Sequence, residues 1–195
     1  MAPHQGTAFQ RETAERNAEA ILDAAEELIS RQGHASISAV AAEAGVSRVT
    51  VYAHFPTSEA LLEATVERAV RQTVTVLHAT RPDEGPAAEA LDRMLAAAWR
   101  HLGRYQAMAA VVSELMSPSW IARTHQAAQA AIGELVARGQ AEGSFRTDMP
   151  AGWLTAACIA LVHTCFDEVR NGRIDEGDAV HVLTTSVRDL FTGRR

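Results

Sequence analysis

Apolar residues recur at intervals of three and four along almost the whole chain, and strict alternation of apolar and polar residues is rare. This spacing places apolar side chains on one face of an α-helix, whereas a half-buried strand needs a period of two. The chain has 195 residues, of which 47% are apolar, so it is long enough to bury a core. We therefore expect an all-α fold of about nine helices.

The first predicted helix runs from Thr13 to Gln32 and carries an apolar stripe that includes Ile21 and Leu28. Gly33 follows this helix and can end it, because glycine tolerates the left-handed backbone of a helix terminus. Residues 1–12 carry no comparable stripe and are predicted to form a flexible tail.

Serines and a glycine divide the next stretch into short helices. Ser36 can cap a second helix, and Gly45 can end it in a tight turn. Ser47 can then cap a third helix, which stops before Pro56. Ser58 can cap a fourth helix with further apolar residues at helical spacing.

The RPDEGP segment, Arg81–Pro86, is the predicted loop and the predicted break between two structural units. Beyond it, longer helices are predicted over residues 87–103, 106–117, 119–141, 151–171 and 176–192. The predicted organisation is a tail over residues 1–12, an N-terminal domain over residues 13–75 and a C-terminal domain over residues 76–195.

The segment from Ala44 to Ser58 contains no acid, and Arg48 is its one formally charged residue. A short helix, a glycine turn and a second short helix form the helix-turn-helix plan, whose second helix enters the DNA major groove. An acid-free helix face avoids repulsion by phosphates. The candidate DNA-binding residues are Ser36, Ser47, Arg48, Val49, Thr50, Tyr52 and His54.

Each residue type has a place in DNA recognition. Arg48 can donate two bonds to guanine, Thr50 can bond a base or a phosphate, and Val49 can touch a thymine methyl group. Tyr52 and His54 offer donors for phosphate oxygens. The alternative is that the apolar residues of this helix only form the core of a small bundle, which we expect for Val51 and Phe55.

The stretch GHASISAVAAEAGVSRVTVYAHFPTSEALL, residues 33–62, strongly resembles the DNA-binding domain of tetracycline-repressor-like (TetR family) regulators. The resemblance extends from about residue 12 to residue 70. It implies a homodimeric regulator, in the role of a repressor, that binds double-stranded operator DNA and is released by a small effector. The two recognition helices of such a dimer would lie about 35 Å apart, matching successive major grooves.

Two positions depart from the family pattern. Val49 stands where the family often has glycine, which changes what touches the bases. Ser58 stands where lysine is common, which removes a phosphate contact and would flatten the salt dependence of binding.

Charge limits the function classes. The formal net charge is −6, and all 18 basic residues other than histidine are arginines, so the chain is not expected to coat nucleic acid indiscriminately. Residues 1–75 carry six arginines and ten acids, a balance of −4, so these acids must lie away from DNA; those of the first helix are expected to face solvent. No membrane-spanning run and no apolar signal segment is present, so we expect a cytoplasmic protein without a membrane partner.

The predicted C-terminal helices offer large apolar side chains and a few polar ones for an apolar or amphipathic effector. The candidate pocket residues are Met94, Trp99, Met108, Met116, Trp120, Arg123, His163 and Phe166. Apolar residues at helical spacing also form ordinary core, which is the alternative for each of them.

The last two predicted helices are apolar over much of their surface and are candidates for a dimer interface. The candidate interface residues are Leu154, Cys158, Leu161, Cys165, Val180, Leu183, Val187 and Leu190. The alternative is the core of a monomer. Cys158 and Cys165 are seven residues apart on one helical face, which favours two buried thiols over a disulfide.

No nucleophile motif, phosphate-binding loop or pair of catalytic carboxylates is evident, so we predict no catalytic residues, no metal site and no cofactor. An all-α enzyme would have to use His163, Asp167 and Cys165. A second alternative is a helical ligand-binding or interaction protein with impaired DNA binding, which Val49, Ser58 and the acidic balance would explain.

Overall fold

Helices form all the regular structure of the residues described by this computed structural model, which are 4–193 for the backbone and 11–193 for side chains. The prediction of an all-α fold is confirmed. Over residues 4–193, the α-helices are α1 (His4–Gln32), α2 (Ile37–Glu43), α3 (Arg48–His54), α4 (Ser58–Ala79), α5 (Ala87–Leu102), α6 (Gln106–Leu115), α7 (Pro118–Thr124), α8 (Gln126–Ala141), α9 (Ala151–Arg170) and α10 (Glu176–Thr192). A single 3-10 turn, Gly103–Tyr105, joins α5 to α6.

Two helix starts differ from the prediction. Helix α1 begins at His4 and not at Thr13, because no proline interrupts residues 4–12; of the predicted tail, residues 1–3 lie outside the described part. Helix α4 begins at Ser58, but its cap is Thr57, whose Oγ1 accepts a hydrogen bond from the Ala60 amide at 3.0 Å. Two adjacent hydroxyl residues compete for one cap position, and the sequence does not rank them.

The predicted helix over residues 119–141 is two helices, α7 and α8, which meet at His125. The backbone of His125 has φ −87° and ψ −1°, outside regular helical values. Its Nδ1 lies 2.8 Å from the carbonyl oxygen of Ile121, which also accepts the His125 amide. No proline or glycine marks this break, so no sequence signal was there to find.

The helices group into two compact units. The N-terminal unit comprises the chain up to Ala69 together with Tyr105–Met116, and the C-terminal unit comprises Val70–Arg104 together with the chain from Ser117 onward. The division therefore falls inside α4, and the predicted break at Arg81–Pro86 is not where the units divide. The domain limits 13–75 and 76–195 stay a prediction.

The loop between α4 and α5 lies inside the C-terminal unit because two guanidinium groups hold it there. Arg93 on α5 donates to three of its carbonyls at 2.7 to 3.1 Å, and Arg138 on α8 donates to two more at 2.7 and 2.9 Å. Glu142 accepts the Ala87 amide at 3.3 Å, at the start of α5, where the N-cap residue Pro86 offers no side-chain acceptor. These bonds satisfy backbone groups that a loose loop would leave to water.

Each unit has its own apolar core. In the N-terminal unit, α1 to α4 contribute Ile21, Leu22, Leu28, Ile37, Val40, Val51 and Leu61, and α6 packs against α1. In the C-terminal unit, α5, α8, α9 and α10 surround a larger core that includes Leu91, Leu135, Leu154, Leu183 and Phe191. Within residues 4–193, no helix is both long and apolar enough to cross a membrane.

Candidate nucleic-acid interface

The turn between α2 and α3 has the geometry that its glycine predicts. The Val46 amide donates to the Ala41 carbonyl at 3.0 Å, and the Gly45 amide donates to the Ala42 carbonyl at 3.3 Å. Gly45 has φ +66°. This pair of bonds is the Schellman arrangement, which closes one helix and redirects the chain sharply into the next.

Helix α3 is fixed by a cap at its start and by one buried side chain at its centre. Ser47 Oγ accepts the Thr50 amide at 3.1 Å and lies 2.9 Å from Thr50 Oγ1. Val51 is fully buried, and Phe55 packs against the same core. The predicted caps Ser36 and Ser47 are confirmed, since the Ser36 hydroxyl accepts the amide three residues on at 3.2 Å.

The opposite face of α3 is open to solvent. Val49 is 78% exposed and Tyr52 is 52% exposed, although both are large hydrophobic side chains. Arg48 is exposed beside them, and Ala53 completes the same face one turn after Val49. Ala53 was missing from the sequence-based candidates, but its spacing of four from Val49 would have identified it.

The other candidate residues lie at the edges of this face. Thr50 and His54 are half-buried, and Ser36 and Ser47 are exposed at the N-caps of α2 and α3. A hydroxyl has one donor and two acceptor positions, so the Ser47–Thr50 pair keeps one donor and two acceptor positions for other partners. Arg48, Val49 and Tyr52 are therefore the most available side chains of the seven.

Three of the six acids of α1 pair with one arginine of α4. Arg68 on α4 is 5% exposed and donates to Asp23 at 2.6 Å, Glu26 at 3.0 Å and Glu19 at 3.2 Å. Burial alone would lower the pKa of Arg68, but the hydrogen bonds that it donates to Asp23 and Glu19, together with the charges of Asp23 and Glu26, outweigh burial and raise that pKa. The Glu26 side chain is 16% exposed, so the expectation that it faces solvent is wrong.

Glu43, the acid that directly precedes the acid-free segment, is paired as well. Arg31 donates to its carboxylate at 3.2 Å and lies 3.5 Å from that of Glu27. The exposed face of α3 carries one cation and no acid. The carboxylates of Glu43 and of several α1 acids thus pair with Arg31 and Arg68 and not with Arg48.

The candidate effector residues do not all lie in one place. In the C-terminal unit, the Trp99 ring stacks on the Phe166 ring with centroids 4.1 Å apart and an angle of 8°, and Met94 belongs to the same buried cluster. Met108 and Met116 belong to the N-terminal unit. Trp120 is half-buried and Arg123 exposed, both on α7.

His163 on α9 lies near His125 and Asp167. Partial burial lowers the pKa of His163, His125 lowers it further, and Asp167 opposes both. Together these effects disfavour the charged form of the His163 imidazole, although the residue is exposed on α9. Among the residues with described side chains, no three His, Cys, Asp or Glu residues come together as a metal ion would need.

The candidate interface residues divide into two groups. Leu154, Cys158, Cys165, Leu183 and Val187 are each at most 5% exposed and pack in the core of their own protomer. Leu161, Val180 and Leu190 are half-buried. Both cysteines are free and buried, as predicted.

A model of a known protein family matches a segment in the N-terminal part of the chain. The family described as "Bacterial regulatory proteins, tetR family" matches residues 21–65. This match contains all of α2, the glycine turn and α3. It therefore covers the exposed helix face and the caps that position it.

Two relatives extend over most of the chain. The HTH-type transcriptional repressor LfrR of Mycolicibacterium smegmatis is 27% identical over 174 residues, covering 88% of this chain and 90% of LfrR. The HTH-type transcriptional regulator NfxB of Pseudomonas aeruginosa is 25% identical over 153 residues, covering 76% of this chain and 80% of NfxB. Both relatives are regulators and not enzymes by name.

A solved structure gives the same assignment. The crystal structure of the TetR-like transcriptional regulator LfrR from Mycobacterium smegmatis in complex with proflavine has a TM-score of 0.71 and 25% identity. The likeness covers 92% of this chain and 98% of that one.

Proposed function

We propose that the chain is a ligand-responsive, DNA-binding transcriptional regulator of the TetR family, that α3 is its recognition helix, and that it represses transcription from an operator in the cytoplasm. The observation that carries this proposal is the solvent-exposed, acid-free face of α3, on which Val49 is 78% exposed. A monomeric helical core would bury a valine and a tyrosine at these positions.

The side chains of this face are suited to different kinds of contact with DNA. Arg48, at the N-terminal end of α3, is placed to reach guanine, and Val49 offers an apolar contact to a thymine methyl group. Tyr52 and His54 follow one turn later, where their donors can meet phosphate oxygens. The Ser47 cap keeps Thr50 oriented, so Thr50 contributes a short and well-ordered hydroxyl.

We place the dimer interface on the solvent side of α9 and α10. Trp153 is 61% exposed and Val182 is 37% exposed, while Ala156 and Ala160 are exposed on the same side of α9 as Trp153. Small residues beside large exposed apolar ones allow two helices to approach closely, and a two-fold dimer pairs identical surfaces. Leu161, Val180 and Leu190 would border this surface.

We place an apolar or amphipathic effector beside the Trp99–Phe166 stack in the C-terminal unit. The complex of LfrR with proflavine supports a flat aromatic molecule as the class of ligand. The two rings stack 4.1 Å apart and are at most 9% exposed, so a third flat ring would have to open the packing around them before it could stack. His163 can then hydrogen-bond a polar group, and release from DNA follows if the ligand prefers the non-binding conformation.

The test starts from genomic DNA fragments that bind to the purified protein. The operator sequence therefore does not have to be known in advance. Arg48→Ala and Thr50→Ala should each weaken binding of an enriched fragment about ten- to a hundredfold, the loss of one good base contact. Arg31→Ala is the matched control: it removes an exposed arginine of the same unit that pairs with acids and lies outside α3. The proposal fails if all three variants bind alike, or if no fragment is enriched.

A further inference from the structure

A cavity of about 400 Å³ lies within the N-terminal unit, and none of its lining residues belongs to the C-terminal unit, in which the effector site is proposed. Its apolar wall comes from α1, α4 and α6, through Ile29, Leu61, Leu62, Leu115 and Met116. Ligand pockets for small organic molecules begin at about 300 Å³. The cavity is therefore large enough for a compact molecule of one ring and a short chain.

The floor of the cavity is suited to an apolar group. Leu61, Leu62 and Met116 are nearly inaccessible to solvent. Thr65 is fully buried, and its hydroxyl donates to the Leu61 carbonyl at 2.7 Å, so it has no donor left to offer. A ligand in contact with this floor gains by burying hydrocarbon and not by forming hydrogen bonds.

The mouth of the cavity carries one negative charge. Glu59 lies in the first turn of α4, where the partial positive charge of the helix N-terminus favours a carboxylate. Within the residues whose side chains are described, no cation pairs with Glu59. His34, also at the mouth, has its Nδ1 3.1 Å from the Gln32 carbonyl.

We propose that this cavity is a second ligand site, for a small organic cation with an apolar body. The hydrocarbon part lies against Leu61, Leu62 and Met116, and the ammonium group lies at Glu59. An organic anion is disfavoured by the same carboxylate. One carboxylate and one imidazole are too few to hold a metal ion in place of the organic cation.

The position of the cavity links it to DNA binding. Ala35, which lines it, directly precedes the α2 cap Ser36, and Ser58, which also lines it, is separated from the end of α3 by only three residues. A bound molecule therefore contacts the chain on both sides of the helix-turn-helix. It also contacts α6, which is joined directly to the C-terminal unit at residues 104–105 and 116–117.

The experiment uses the full-length protein without DNA and three probes of one shape: phenylbutylamine, phenylbutanol and phenylbutyrate. Calorimetry should rank the amine above the alcohol and the alcohol above the carboxylate. Glu59→Gln should weaken the amine about three- to fivefold and leave the alcohol unchanged, as expected for a solvent-exposed ion pair. Glu63→Gln, one turn along the same helix and not a lining residue, is the matched control and should leave all three unchanged.

A second variant tests the location. Ala35→Leu places a longer side chain toward the cavity and should reduce binding of amine and alcohol alike, with helix content by circular dichroism unchanged. Methyl NMR signals of Ile29, Leu61 and Met116 should shift with the amine. The proposal is overturned if no probe binds, if the carboxylate binds as well as the amine, if Glu59→Gln has no more effect than Glu63→Gln, or if Ala35→Leu binds normally. Because DNA is absent, failure of the recognition-helix proposal would leave these outcomes unaffected.

Discussion

Arg68→Met should destabilise the protein more than any other single removal of an arginine charge in the N-terminal unit. Arg68 joins α4 to three acids of α1, and its side chain is 7% exposed, whereas the Arg31 side chain is 48% exposed. Methionine keeps the apolar stem of the arginine, so the substitution removes the guanidinium with little change in packing. The effect therefore isolates the charge.

The magnitude follows from the exposure of the three acids. The Glu19 and Asp23 side chains are 67% and 75% exposed, so each returns to water and loses about 0.2–1 kcal/mol. The Glu26 side chain is only 16% exposed, so losing its ion pair with the Arg68 guanidinium costs about 1–3 kcal/mol. Arg68 Nε is buried without an acceptor, so removing it recovers part of the lost free energy of unfolding. The expected loss is about 2–3 kcal/mol.

Urea unfolding followed by circular dichroism, at one protein concentration, measures this loss. Arg31→Met is the matched control and should cost less than about 1 kcal/mol, because its ion pairs are exposed. Adding Glu26→Gln to Arg68→Met should recover part of the stability, since the dry carboxylate is then gone. Equal losses for the two arginine variants, or no recovery in the double variant, would refute the reasoning.

Three further predictions follow from packing and exposure. Gly139→Ala should destabilise the protein by about 1–3 kcal/mol, because the new Cβ would overlap the Phe145 ring. Gly133→Ala on the same helix should stabilise the protein by about 0.5–1 kcal/mol, because its Cβ meets only an ordinary contact and alanine favours a helix. Thermal melting curves of the two variants measure the difference. Burial raises the pKa of Cys158 to about 12, so this thiol should resist Ellman's reagent at mildly alkaline pH until the protein unfolds. Val182→Asp should shift the dimer toward monomer in sedimentation, and an unchanged dimer would argue against the proposed interface.

The helix-turn-helix could be predicted closely because its rules are local. The caps Ser36 and Ser47 and the turn at Gly45 each depend on residues within five positions, and all three were predicted correctly. Helix breaks that depend on a single side chain were not predictable in the same way. The turn at His125 has no residue type that marks it.

Long-range contacts were beyond the sequence. Helical spacing identifies an apolar or charged face but not the partner that covers it. Arg68 meets acids 42 to 49 positions earlier, and nothing in their spacing selects that arginine over Arg71 three residues on. For the same reason, the sequence named Trp99 and Phe166 as separate pocket candidates and gave no sign that their rings stack on each other.

The bonding of the loop between α4 and α5 decides where chimeric regulators can be joined. A junction at Arg81–Pro86 would separate the loop carbonyls from Arg93 and Arg138 unless the two parent proteins shared both arginines. A junction after Arg68, at Ala69–Val70, keeps the carboxylate cluster with one parent and the loop donors with the other. The transplant must also carry matched α6 residues, because α6 packs on α1 of the DNA-binding parent. Exchange of the C-terminal unit between relatives therefore needs three junctions, at residues 69–70, 104–105 and 116–117, and a single crossover at Arg81–Pro86 would leave contacts of both parents incomplete.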